Sequence, residues 1–192
     1  MKRRVQSLSL TGPAGELEAL WEEPEPARSD LAALVCHPHP LYGGTLHNKV
    51  VHHTALALQE RGLRVLRFNF RGTGQSQGVH DYGRGEADDV CAALSYLEER
   101  LPSAGLVLAG FSFGAWVGLQ VGCKDQRVQA LVGVGLPADE SDLSYGSRPA
   151  MEAMLARVAP PRQLIWIEGA DHFFAGHLKE LRAAICDHLP GT

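Results

Sequence analysis

The chain has no apolar run approaching the roughly 20 residues that a membrane-spanning helix needs. Its basic opening, MKRRVQSLSL, is not followed by the long apolar region of a secretory signal, so a cytoplasmic location is expected. Cysteine is scarce. Cys36, Cys91, Cys123 and Cys186 stand far apart in apolar patterns with no CxxC pair, which argues against a disulfide scaffold and leaves buried free thiols as the expected state. An excess of positive charge is also missing: the formal net charge is −4 with both signs interspersed, so neither a nucleic acid nor an anionic membrane is an expected partner. Internal repeats, low-complexity tracts and long linkers are absent too, and 192 residues with 45% hydrophobic composition suffice for one core. A single domain spanning 1–192 is expected.

What is present centres on GLVLAGFSFGAWVGLQVG, Gly105 to Gly122. Leu106 to Ala109 reads as a buried strand and Ala115 to Val121 as an apolar helix, so Gly110, Phe111, Ser112, Phe113 and Gly114 must turn tightly between them. This is the GxSxG pattern of a nucleophile elbow, in which a serine occupies a strained strand-to-helix turn and glycines remove Cβ atoms that would clash. Without further context, the same residues would read as a glycine-rich turn whose serine caps a helix.

The flanking chain supplies that context. Val5 to Leu10 and Leu17 to Trp21 alternate around TGPAG, predicting an antiparallel hairpin at a sheet edge. Short apolar strands are predicted at Leu31 to Cys36, Leu63 to Phe70, Val128 to Val134 and Gln163 to Ile167. Helices are predicted from about Leu46 to Arg61, from about Glu86 to before Pro102, over Ala150 to Val158 and over Leu178 to His188. Alternating strands and helices after a hairpin give an α/β fold, a mostly parallel sheet with helices on both faces.

Loops at the carboxyl ends of such strands converge on the ligand crevice. A serine hydroxyl there needs a base and amide donors for the oxyanion. His172, directly after the last predicted strand, is the expected base, with His177 as competitor. The expected oxyanion donors are the backbone amide of Phe113 and one amide of the HPHPLYGG loop. Pro38 and Pro40 have no N–H, which leaves His39, Leu41 or Tyr42, with His39 favoured. His37 and His39 could alternatively share a metal, but no clear third ligand accompanies them. GTGQSQG after the Phe70 strand spaces its glycines as GxGxxxG and does not open a helix, which argues against a dinucleotide site. Its expected job is a tight turn, with Arg71 tied to Glu86 or Asp89. No cofactor and no metal is expected.

Through CHPHPLYGGTLHNKVV, RFNFRGTGQSQG, DYGRGEADD, GFSFGA and GADHFF, the chain resembles the α/β-hydrolase superfamily, especially its small, cap-less bacterial serine hydrolases with a CHPHP oxyanion loop. The resemblance implies Ser112 as nucleophile, His172 as base and backbone donors at Phe113 and in the HPHP loop. It also implies a further strand, ending in a GDxDxxV-like motif that carries the catalytic acid, between Val134 and the histidine strand. That strand-helix unit is missing here. Asp139, near the end of the preceding strand, is the expected replacement, with Asp142, Glu140 and Asp171 as alternatives and an acid-less dyad as a further one. The loss leaves a strand edge open to a second subunit, which makes a homodimer a candidate assembly. The expected function is a carboxylesterase-like serine hydrolase acting on small, short-acyl esters or thioesters. The alternative is a degenerate hydrolase fold serving as a non-catalytic binding or assembly module.

Overall fold

The computed structural model describes residues 2–27, 29–136, 148–158 and 160–189. Its strands are β1 (Lys2–Gly12), β2 (Gly15–Glu25), β3 (Leu31–Cys36), β4 (Arg64–Phe68), β5 (Gly105–Phe111) and β6 (Val128–Val134). Its α-helices are α1 (Lys49–Glu60), α2 (Arg84–Arg100), α3 (Phe113–Gly122), α4 (Arg148–Ala156) and α5 (Leu178–His188), and a 3₁₀ turn covers Pro40–Tyr42. The strands form one sheet in the order β1-β2-β4-β3-β5-β6. β1 and β2 make the expected antiparallel hairpin and β2 joins β4 antiparallel, whereas β4, β3, β5 and β6 run parallel. The carboxyl ends of those four strands therefore lie along one edge.

Burial on both faces explains why the parallel strands read as unbroken apolar runs. Leu34, Leu66 and Leu108 pack on one face against Val90, Leu94 and Leu97 of α2 and Val117 and Val121 of α3. Ala33, Val35, Val65, Val107 and Ala109 pack on the other against Val51, Ala55 and Leu58 of α1 and Leu181 and Ile185 of α5. Asn48 starts α1 by accepting the Val50 N–H on its side chain at 2.9 Å. The stretch between β6 and α4, residues 135–147, is too short to hold a cap domain.

One expected strand does not form. The segment Gln163 to Ile167 pairs with no strand among the described residues, and β6 is the last strand of the sheet. Alternating or apolar sequence supplies only a preference for extended backbone, while a strand requires a ladder partner. Only Ile167 of this segment packs against the α1/α5 core; Ile165 and Trp166 stay exposed, the Trp166 ring lying 4.6 Å beneath the Arg148 guanidinium, which pairs with Glu168 at 2.6 Å.

Buried charge ties the sheet to the loop preceding α1. Arg67 of β4 pairs with Glu22 of β2, both almost fully buried, and its guanidinium also donates to the Leu46 carbonyl, while Gln59 of α1 donates to the same Glu22 carboxylate. Removing one partner would strand the other charge in the core. Arg67→Met is expected to lower unfolding free energy by about 3–5 kcal/mol, and the double variant Glu22→Leu/Arg67→Met to recover most of it. Urea denaturation of the three proteins checks this.

Candidate active site

Ser112 joins β5 directly to α3 with φ +54° and ψ −120°, a backbone that L residues avoid. Its N–H donates to the Val134 carbonyl at 2.9 Å, and its carbonyl accepts from Ala115 at 2.9 Å and Trp116 at 3.0 Å, so the turn is held from both sides. The two glycines of GxSxG are required sterically. A Cβ on Gly110 would lie 2.4 Å from the Gly114 carbonyl group, and one on Gly114 would lie 2.4 Å from the His37 oxygen and 2.6 Å from that of Cys36. The first turn of α3 is thus pressed onto the end of β3, with Ser112 half-buried at the carboxyl edge of the sheet.

The HPHP loop lies on that contact. His37 is fully buried. Its Nε2 accepts the Phe70 N–H at 3.0 Å, which places its proton on Nδ1, 2.6 Å from the Pro38 carbonyl. Both nitrogens are therefore engaged with backbone, leaving none for a metal, and burial holds the imidazole neutral with a pKa pulled down to about 4. Of the three amides open to the oxyanion role, Leu41 N–H donates to His39 Nδ1 at 3.2 Å and Tyr42 N–H to the His39 carbonyl at 3.1 Å. The N–H groups of His39 and Phe113 have no hydrogen-bond acceptor among the described residues. The His39 and Phe113 rings are 4.8 Å apart.

His172 reaches the same edge. Its ring lies 4.9 Å from that of Phe111, the residue before Ser112, at an interplanar angle of 32°, and a Cβ on Gly135, just beyond β6, would touch it at 3.2 Å. Partial burial draws its pKa down to about 4, with Asp171 opposing the shift. His177 instead stands at the start of α5, its Nδ1 4.0 Å from Glu180. Asp171 accepts the Ala175 N–H at 2.9 Å, a local turn bond. The other acid candidates, Asp139, Glu140 and Asp142, lie outside the described residues.

The loop after β4 is a braced turn. Arg71 forms a forked pair with the buried Asp89, 2.8 Å at its shortest, and its own N–H donates to the same carboxylate at 3.0 Å. Of the two acids expected to hold Arg71, it is Asp89 that pairs with it. Glu86, fully buried, accepts the N–H groups of Asp81 at 2.9 Å and Gly83 at 2.7 Å and sits 2.8 Å from Nδ1 of His80. The close approach of His80 to Glu86 is not expected from the sequence. The spacing of Glu86 three residues after the Gly83 cap signals the backbone half of this arrangement, but nothing local to VHDYGRG signals the histidine.

A family profile for the alpha/beta hydrolase fold matches residues 39–166. An uncharacterized protein of Rickettsia prowazekii is 33% identical, with 96% of this chain and 89% of the relative aligned. That alignment extends over 212 residues, longer than this chain, so the relative carries residues with no counterpart here. Among solved structures, an alpha-beta serine hydrolase homologue from Coxiella burnetii superposes with a TM-score of 0.89 at 35% identity, covering 96% of this chain and 97% of its own. A serine hydrolase without a lid from Xanthomonas campestris gives 0.88 at 35% identity, covering 98% and 97%. The chain belongs to the α/β-hydrolase fold family.

The elbow glycines allow a direct check of the close approach. Gly114→Ala is expected to cost about 1–3 kcal/mol because its Cβ meets only backbone. Gly118→Ala, one turn on, meets the Leu108 side chain at an ordinary 3.6 Å and is expected to stabilise by up to about 1 kcal/mol through helix propensity. Thermal denaturation of both variants reads the difference.

Proposed function

We propose that this protein is a serine hydrolase of the carboxylesterase class, cleaving small, short-acyl esters or thioesters through an acyl-enzyme on Ser112. One observation carries the reading: a serine in strained backbone between β5 and α3, flanked by glycines that tolerate no Cβ, while the N–H of the next residue, Phe113, and that of His39 in the loop after β3 have no acceptors among the described residues. The similarity to serine hydrolase homologues supports the same class.

In this reading His172 takes the Ser112 proton as Oγ attacks the carbonyl carbon, and the new oxyanion rests on the N–H groups of Phe113 and His39 in the CHPHP loop. Collapse of the tetrahedral intermediate breaks the bond to the alkoxide or thiolate, which takes the proton back from His172. Water then attacks the acyl-enzyme, giving its proton to the same histidine, and collapse of the second tetrahedral intermediate breaks the bond to Ser112 Oγ, which takes that proton back as the carboxylic acid leaves. Asp139 is the candidate to orient His172, with Asp142 and Glu140 as competitors; an orienting acid accelerates base catalysis without being indispensable to it. The absence of a cap favours short, soluble substrates. A second reading, a fold retained for binding alone, draws on the unformed strand at residues 163–167.

Wild-type protein is expected to hydrolyse nitrophenyl acetate, and Ser112→Ala to reduce the rate to background; equal rates in the two would overturn the mechanism. Asp139→Asn is expected to slow the reaction, and full activity in both Asp139→Asn and Asp142→Asn would remove those acids from it. The pH profile carries a sign. Only neutral imidazole can accept the serine proton, and burial lowers the His172 pKa, so kcat/KM should hold from neutrality down past pH 6 and fall as pH drops through about 4.

A further inference from the structure

Beside the candidate oxyanion donors, four rings form a continuous strip across two loops. The Tyr42 and His39 ring centroids are 4.7 Å apart, those of His39 and His80 4.9 Å, and those of His80 and Tyr82 5.0 Å. Phe113, whose N–H is one proposed donor, underlies the two middle rings at 4.8 and 5.7 Å. The ends of the strip face solvent: Tyr42 is 73% exposed and Tyr82 65%. Leu41 and Val79, in the same two loops, are exposed as well, so half of the large exposed hydrophobic residues among those described gather here. Such a concentration is characteristic of a contact surface.

The backbone holds Tyr82 in this position against its preference. Tyr82 has φ +50°, an outlier for a bulky side chain, and the next residue, Gly83, has φ +91° with a would-be Cβ only 2.3 Å from the Trp116 ring. The buried Glu86 carboxylate accepts the N–H groups on either side of Tyr82, those of Asp81 and Gly83, and lies 2.8 Å from His80 Nδ1. One carboxylate thereby holds the backbone that presents Tyr82 and borders the His80 ring. Strain that presents an aromatic ring to solvent, next to groups arranged for an oxyanion, calls for a role that burial in the core does not supply.

We propose that this strip is a substrate subsite for a flat, unsaturated ring carried close to the scissile carbonyl, with Tyr42 and Tyr82 as its contact faces and Glu86 as the positioning residue. Rings tilted by 47° to 62° to their neighbours offer both faces and edges, which suits offset and edge-to-face contact with a planar group better than a saturated one of equal size. The proposal rests on the reading of Ser112 as nucleophile.

Two matched pairs of esters locate the ring: benzyl acetate against cyclohexylmethyl acetate places it in the alcohol half, and methyl phenylacetate against methyl cyclohexylacetate in the acyl half. In at least one pair wild-type kcat/KM is expected to favour the planar ester by about tenfold, the scale of an aromatic pair contact. That ratio should fall towards one in Tyr42→Ala and Tyr82→Ala and be kept in Tyr82→Phe, which retains the ring. Ratios near one for both pairs in the wild type, or a ratio untouched by both alanine variants, would overturn the subsite. Binding of benzyl alcohol and phenylacetate, followed by saturation-transfer NMR on wild type and Tyr82→Ala, separates the two claims. A ring that binds the wild type and not the variant upholds the subsite even if no ester is cleaved, and a ring that binds neither refutes it.

Discussion

The candidate site depends on how closely the first turn of α3 lies against the end of β3. Glycine at position 114 lets that turn approach the His37 and Cys36 carbonyls to a distance no side chain permits, and glycine at 110 lets the chain reverse from β5 without striking its own helix. The approach forces Ser112 into a left-handed backbone, and the bond from its N–H to Val134 of β6 helps to hold it there. The same contact presses the turn that carries Phe113 onto the start of the HPHP loop, where the Phe113 and His39 rings lie 4.8 Å apart. Position and electrostatics at the site are thus two results of one packing constraint.

Such an arrangement needs its loops fixed, and buried carboxylates fix them. Glu22 with Arg67 braces the segment entering α1 through the Leu46 carbonyl, Asp89 holds Arg71 at the start of the loop after β4, and Glu86 gathers the end of that loop. Each acid is desolvated and would be costly alone, but each has several donors around it. Burial acts on the histidines in the opposite sense, keeping His37 and His172 neutral at ordinary pH. For His37 this lets Nε2 accept the Phe70 N–H; for His172 it leaves the lone pair that the proposed role of base would use.

Much of this was legible in the sequence because it is local. The bounds of β3 and β6 and of α5 match the apolar runs and helical patterns that predict them, and GFSFG specifies a turn that only such spacing allows. The unformed strand at residues 163–167 shows the limit. Its residues look like a strand, yet pairing is decided by a neighbour elsewhere in the chain, and the sheet stops at β6. The ring strip was illegible for the same reason: Tyr42 and His39 are near in sequence, but His80 and Tyr82 join them only through the parallel alignment of β3 and β4 and the clamp of Glu86. Likewise the sequence does not show which of the His39, Leu41 and Tyr42 N–H groups already have acceptors.

Activation of Ser112 is the central claim, and a fluorophosphonate probe reads it without any assumption about substrate, because only an activated serine reacts. Mass spectrometry of the folded, labelled protein is expected to find a single adduct, mapped to Ser112, formed far more slowly in His172→Gln. An unlabelled wild-type protein, or an adduct on any other residue, would contradict the account.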